Sequence, residues 1–251
     1  MLWERWKMSR IDGYFEKVKE ILDEVLVYQK ENIEKSAEEV ARVLENEGMI
    51  FAFGTGHSHM LAEEVFYRAG GLVKVYPILK GPLMLHESAS VSSRMERLPC
   101  YADILMDDLK DAKEGDVLFV FSNSGRNTVS IDIALMARKK GMKVICITNL
   151  KHARSVSSRH ESGLMLHEVC DIVIDNCGVV GDACMDVGGI MTGPTSTIAG
   201  CCILNAIVCE AVDMMMEKGL KPEVWCSSNV DGGDEINDVY INKYRKDIKI
   251  L

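Results

Sequence analysis

Apolar residues recur at helical spacing through the first fifty positions: Ile11, Phe15, Val18, Leu22, Val25 and Leu26, then Ile33, Ala37, Val40, Val43 and Leu44. The spacing predicts two helical stretches ending near Gly48, with Ser9 and Asp12 as a capping box at the start. From Met49 the period changes. MIFAFG is a short apolar run closed by glycine, and HMLAEEVFYRA returns to helical spacing with Leu61, Ala62, Val65, Phe66 and Ala69 on one face. LVKVYPI alternates as a strand does. YADILMDDLKDA then reads as helix, DVLFVFS as strand, TVSIDIALMARKK as helix, KVICITN as strand and DIVIDN as a fifth strand. A long helix from about Thr195 to Lys218 follows Gly193–Pro194, a helix-start signal.

Fully apolar strands that alternate with helices bury both faces of a sheet. The expected fold is therefore α/β, a doubly wound parallel sheet of five strands with a helical N-terminal extension. No repeat and no linker divides it.

Composition narrows the partners. The 251 residues suffice for one to two domains, with 47% hydrophobic and 27% charged residues, an ordinary soluble balance. Acidic residues outnumber basic ones, 38 to 29, for a net charge of −9, and aromatics are 6%. Such a surface repels phosphate backbones and offers few stacking platforms, so nucleic acid is not an expected partner. No apolar run of signal-peptide or membrane-spanning length is evident, so the expectation is a cytoplasmic protein with no membrane partner. The odd count of nine cysteines fits reduced thiols. Cys146, Cys201, Cys202 and Cys209 sit in apolar runs as small hydrophobes. Cys170, Cys177 and Cys184 recur every seven residues, but without a C-x-x-C pair no metal site is expected.

In open parallel sheets the ligand lies beyond the carboxyl ends of the strands. Three loops there combine glycine with hydroxyl residues before a helix: Phe53 to Met60 (FGTGHSHM), Phe121 to Thr128 (FSNSGRNT) and Thr192 to Thr197 (TGPTST). Free amides and hydroxyls at helix N-termini attract anions. A dinucleotide fails the pattern. His59 stands where the third glycine of the fingerprint belongs, and no Asp or Glu follows Tyr76–Pro77–Ile78 to hold a ribose. There is no G-x-x-x-x-G-K-[ST] loop either, so no nucleotide cofactor is expected. One compact anion on a small molecule fits better. For any single Ser or Thr, plain N-capping is an equally good use; three such loops at one edge weaken that explanation.

GTGHS after the first strand, SNSGRN after a later one, and a helix between them ending in RAGG resemble the SIS (sugar isomerase) phosphosugar-binding domain. The resemblance covers roughly residues 35–220, with 1–47 as the helical extension and 221–251 as a C-terminal tail packing on the domain. It is nearest to stand-alone bacterial SIS proteins that share the segments seen here as Leu83–Glu87, Ser158–Gly163 and Gly193–Ser196. Phosphoheptose isomerase and N-acetylmuramic acid 6-phosphate etherase are more distant by pattern. The resemblance implies a flavodoxin-like strand arrangement and a phosphorylated sugar or amino sugar as ligand. It implies that Ser122 and Ser124 bind phosphate, with Asn123, Arg126, Asn127 and Thr128 continuing that loop. Gly54, Thr55, Gly56, His57 and Ser58 would face the sugar, and Thr195 and Ser196 would form the third side. SIS sites are commonly completed by a neighbouring subunit, so a homodimer or homotetramer is expected.

Isomerising an aldose to a ketose needs a base between adjacent carbons and an acid, often histidine. Glu63 and Glu64 lie on the helix after the first loop, and Glu64 equally suits an i,i+4 pair with Arg68. His86 and Glu87, adjacent in a polar loop past the second strand, could supply acid and base together or simply face solvent. Arg94, Glu96 and Arg97 read as a charged helix face. His160 lies in KHARSVSSRHESG, a basic, serine-rich segment that reads as a mobile loop able to close Arg154 or Arg159 over an anion. His152 and His167 have no assigned role, and SSNVDGGDEIN reads as turn or flap. The leading expectation is a phosphosugar isomerase. A sensor that binds a phosphosugar without turning it over, acting through a protein partner, and an amino-sugar phosphate etherase remain as alternatives.

Overall fold

The computed structural model describes residues 9–251; the N-terminal extension expected from residue 1 therefore includes eight residues, Met1–Met8, outside the described part. The chain opens with one continuous helix, α1 (Arg10–Glu45), rather than two. No proline or glycine interrupts its middle, and Lys30–Glu34 and Glu31–Lys35 pair one turn apart, at 3.6 and 2.6 Å, across the expected break. Ser9 caps it as expected, accepting from the Asp12 amide at 3.1 Å and donating to the Asp12 carboxylate at 2.6 Å.

There follow β1 (Ile50–Gly54), α2 (His59–Glu64), β2 (Val75–Ile78), α3 (Leu85–Met95), α4 (Ala102–Leu105), β3 (Val117–Phe121), α5 (Thr128–Lys139) and β4 (Lys143–Thr148). After them come α6 (Leu150–Ala153), α7 (Leu166–Val169), β5 (Ile172–Asp175), β6 (Ala183–Val187), β7 (Ile190–Pro194), α8 (Ser196–Glu217) and α9 (Gly233–Tyr244). Five parallel strands form the sheet in the order β2-β1-β3-β4-β5. Pro77, which cannot donate to a ladder, lies on edge strand β2.

Alternation along the strands divides two cores. Phe51, Phe53, Leu118, Val120, Val144 and Cys146 face one, with α4 and α5. Ile50, Ala52, Val117, Phe119, Phe121, Ile145 and Ile147 face the other, with α1 and α8. Helix α8 is long and apolar enough to cross a membrane by length and composition. Here it runs along α1 and buries Ile203, Leu204, Ile207 and Ala211 in the second core.

Four further segments depart from the sequence expectations. Helix α2 stops at Glu64, where the chain turns through Tyr67 (φ +47°) to set its ring edge-on to Trp225, 4.7 Å between centroids, and bridge Leu72 to Val224. GPLMLHES is not loop throughout: Leu85 begins α3, interrupted by extended Ser88. SSNVDGGDEIN runs into α9, which brings Tyr244 into the first core together with Ile248 just beyond it. A β6–β7 hairpin at 183–194, linked by Gly188–Gly189, takes in the first residues of the expected Thr192–Thr197 loop. Tyr14 of α1 braces it, donating to the Pro194 carbonyl at 2.7 Å.

Candidate functional site

The strand order reverses between β1 and β3, and ligands of doubly wound sheets bind at that switch point. A cavity of about 340 Å³ opens there. Thr55, Gly56, His57 and Ser58 line it from the end of β1, and Ser122, Asn123, Ser124 and Asn127 from the end of β3. A smaller cleft continues inward between Ser58, Ser122, Asn123, Asn176, Ser196 and Thr197.

The first loop depends on close backbone approach. A Cβ on Gly54 would stand 2.3 Å from the Ser58 carbonyl oxygen, so only glycine fits. Gly56 turns the chain at φ +55°. The buried His59 ring holds this turn through Nδ1 and the Gly56 carbonyl, leaving His57 exposed at the cavity.

The second loop is drawn tight from behind. Ser122 Oγ accepts from the Gly125 amide at 3.2 Å, and the Asn123 carbonyl accepts from the Asn149 amide at 3.0 Å. Asn176 donates to Asn123 Oδ1 at 2.9 Å. The amides of Ser124, Arg126, Asn127 and Thr128 find no protein partner among the described residues. They lead into the N-terminus of α5, where the dipole favours an anion. Asn127 Oδ1 accepts from Arg159 Nη1 at 2.7 Å, and Thr128 donates to the Arg159 carbonyl at 3.2 Å. Burial, then the neighbouring Arg126 and Arg97, push the Arg159 pKa down, while Glu96 opposes them.

The third loop is occupied by the protein itself. Asp182, held at φ +69°, takes the helix α8 N-terminus: its Oδ1 accepts from the Thr195 and Ser196 amides at 3.0 and 2.8 Å, and Oδ2 from Ser196 Oγ at 2.7 Å. The donors that Thr195 and Ser196 were expected to offer a phosphate are thus on a carboxylate. Asp182 itself lines the cavity.

The expected acid–base candidates are scattered. His86 is exposed and stacks edge-on at 6.3 Å from His59; Glu87 lies over Gly81; neither lines the cavity. Glu63 is exposed, 3.8 Å from His59 Nε2, and Glu64 pairs with Arg68 at 2.9 Å. His160 sits in a separate cavity of about 240 Å³, with both ring nitrogens engaged by Ser162 and Asp132 at 2.7 and 2.8 Å. Its segment is anchored rather than free: Arg159 N bonds the Arg126 carbonyl at 2.9 Å and Ser158 the Leu164 carbonyl at 2.7 Å.

Two groups without an expected role stand in the cavity instead. Glu96, at the end of α3, accepts from Thr55 Oγ1 at 2.8 Å, while its carbonyl takes the Val129 amide of α5 at 3.2 Å. Its side chain thus joins the first loop and its backbone the second. Nothing in the run Arg94–Met95–Glu96–Arg97 distinguishes it locally. His152 lines the same cavity with Gly181 and Asp182. Asn149, an N-cap residue directly after a strand, was the readable signal that His152 opens a helix at the sheet edge.

The geometry defines a doubly wound α/β architecture with its cavity at the switch point. The SIS domain family model matches residues 13–149. A UPF0309 protein of Geobacillus thermodenitrificans (strain NG80-2) is 48% identical over 243 residues, covering 96% of this chain and 97% of that protein. The chain belongs to the SIS domain family and, within it, to the UPF0309 proteins. Among solved structures, phosphoheptose isomerase GmhA from Neisseria gonorrhoeae superposes with a TM-score of 0.54 at 15% identity, over 81% of this chain and 97% of its own. The Vibrio vulnificus NanR protein complexed with ManNAc-6P gives 0.53 at 16% identity, over 94% of this chain and 70% of its own.

Proposed function

We propose that the protein binds a phosphorylated sugar in the switch-point cavity and isomerises it by acid–base catalysis. The observation that carries this reading is the pairing, within one cavity, of the amide-rich 122–128 loop with the Glu96 carboxylate. The loop offers unpaired amides, the Ser124 hydroxyl and the α5 N-terminus to one phosphate. Glu96, held by Thr55 of the first loop, lines the same cavity, and a carboxylate there can carry a proton between neighbouring carbons. Support from outside the chain is that one structural neighbour is named a phosphoheptose isomerase and another was solved with ManNAc-6P.

The test is a thermal-shift screen of aldose and ketose phosphates, followed by product analysis of those that stabilise the protein. Glu96→Gln is expected to keep binding and to lower turnover by about 10²- to 10⁴-fold. Binding without turnover by the wild type would overturn isomerisation and leave the sensor reading. Release of a carboxylic acid from an ether substrate would instead mark an etherase.

This reading includes a homodimer or homotetramer. Ile11, Phe15, Leu26, Val27 and Tyr28 of α1 are exposed apolar groups that a second copy would cover. Light scattering showing only a 28.0 kDa species would count against it.

A further inference from the structure

We propose that His152 is the proton-relaying residue of this site, acting through Nε2–H on the sugar oxygens; the proposal rests on the isomerase reading above. Three observations build it. Asn149, fully buried at the end of β4, accepts the His152 amide on Oδ1 at 2.8 Å and donates from Nδ2 to the Val179 carbonyl at 3.1 Å. One side chain therefore holds both the turn that carries His152 and the strand exit facing it. Second, the Gly181 amide donates to His152 Nδ1 at 3.1 Å. A nitrogen that accepts an amide hydrogen cannot carry one, so the neutral ring keeps its proton on Nε2. Third, Nε2 has no partner among the described residues, and the half-buried ring lines the same cavity as Glu96.

None of the other five histidines combines these features. His57 is exposed, with no hydrogen bond among the described residues to set its tautomer, and His59 is committed to Gly56. His86 lies outside the cavity, as does His167, and both nitrogens of His160 are used. A neutral histidine of fixed tautomer is suited to donate a hydrogen bond to a carbonyl oxygen as charge develops on it.

The step balances as follows. Glu96 removes the proton from the carbon beside the carbonyl, and the C–H electron pair becomes the new C=C bond. The C=O π pair moves to oxygen, which takes the proton from His152 Nε2. His152 regains a proton from the adjacent hydroxyl, whose oxygen becomes the new carbonyl as Glu96 returns its proton to the other carbon. Both residues end as they began.

The test uses the full-length protein and a sugar phosphate that the wild type converts. His152→Ala should lower kcat by about 10²- to 10⁴-fold with affinity for inorganic phosphate changed by no more than about threefold. His152→Gln, which restores an N–H donor but no relay, should recover hydrogen–deuterium exchange at the reacting carbon more than product formation. ¹⁵N spectra of histidine-labelled wild type should show His152 as the Nε2–H tautomer, a readout independent of turnover. Turnover of His152→Ala near the wild-type rate, or an Nδ1–H tautomer, overturns the proposal. If the Ala variant does not fold, the Gln variant and the wild-type spectrum decide it. A wild type that converts no sugar phosphate sinks the isomerase reading itself, and this inference with it.

Discussion

Thr55 Oγ1 donates to Glu96 Oε2 at 2.8 Å, a bond that ties the end of β1 to the end of α3 beside the cavity. Thr55 is buried, so its hydroxyl has few competing waters. Hydrogen bonds to charged groups contribute about 1.5–3 kcal/mol. Thr55→Val, which keeps the shape and removes the donor, should lower kcat by about 10- to 100-fold with a smaller change in KM. Thr55→Ser should stay near wild type. Steady-state kinetics on a converted sugar phosphate checks both, and a Val variant with unchanged kcat would detach Glu96 positioning from Thr55.

The 122–128 loop separates two serines by what they already do. Ser122 Oγ is engaged by the Gly125 amide, whereas the Ser124 hydroxyl lines the cavity without a side-chain partner among the described residues. Ser124→Ala should weaken phosphate affinity by about tenfold without lowering stability. Ser122→Ala should lower stability as well, because it releases the turn. Calorimetric titration with inorganic phosphate and urea unfolding distinguish the two.

Asp182 caps α8 with its carboxylate, from a left-handed backbone. Asp182→Ala should reduce unfolding free energy by about 1–3 kcal/mol, since it removes the cap and leaves an unfavourable φ. Asp182→Gly loses the same cap but relaxes the backbone by about 1 kcal/mol, so it should be the milder variant. Urea denaturation gives the order; Ala equal to Gly would mean that the backbone conformation carries no strain.

The anchoring of residues 154–164 runs through His160 and Asp132, 2.8 Å apart. Removing it with His160→Ala or Asp132→Asn should speed tryptic cleavage after Arg154 and Arg159. Cleavage at the wild-type rate would show that the segment is held elsewhere.

Burial, followed by Asp108, pushes Tyr76 up to about 12; burial and the hydrogen bond to Glu223 do the same for Tyr244. Unfolded tyrosine titrates near 10. Between those values the folded state holds protons that the unfolded state has released, so stability falls as pH rises through that window and is intact below it. The slope from each tyrosine is at most about 1.4 kcal/mol per pH unit. Tyr76→Phe should flatten the alkaline limb of a stability profile measured by urea titration. An unchanged limb would show that Tyr76 titrates alike in both states.

The sequence by itself determined the architecture and two of the three loops. Five apolar strands need cover on both faces, and glycine with hydroxyl residues after β1 and β3 mark the edge where the cavity opens; both are local patterns. The groups in the cavity able to move protons were not legible in this way. Glu96 is one charge among several on its helix until the end of α3 docks on α5 and turns its carboxylate to Thr55. His152 acquires a tautomer only when Gly181 meets it from 29 residues away, and Asp182 claims α8 only once the hairpin folds back. Likewise α2 ends early, against its own periodicity, because Tyr67 finds Trp225. Local spacing decides which residues can form an element and which face it buries. Which side chains then share one space depends on contacts between distant segments, and those exist only in the folded chain.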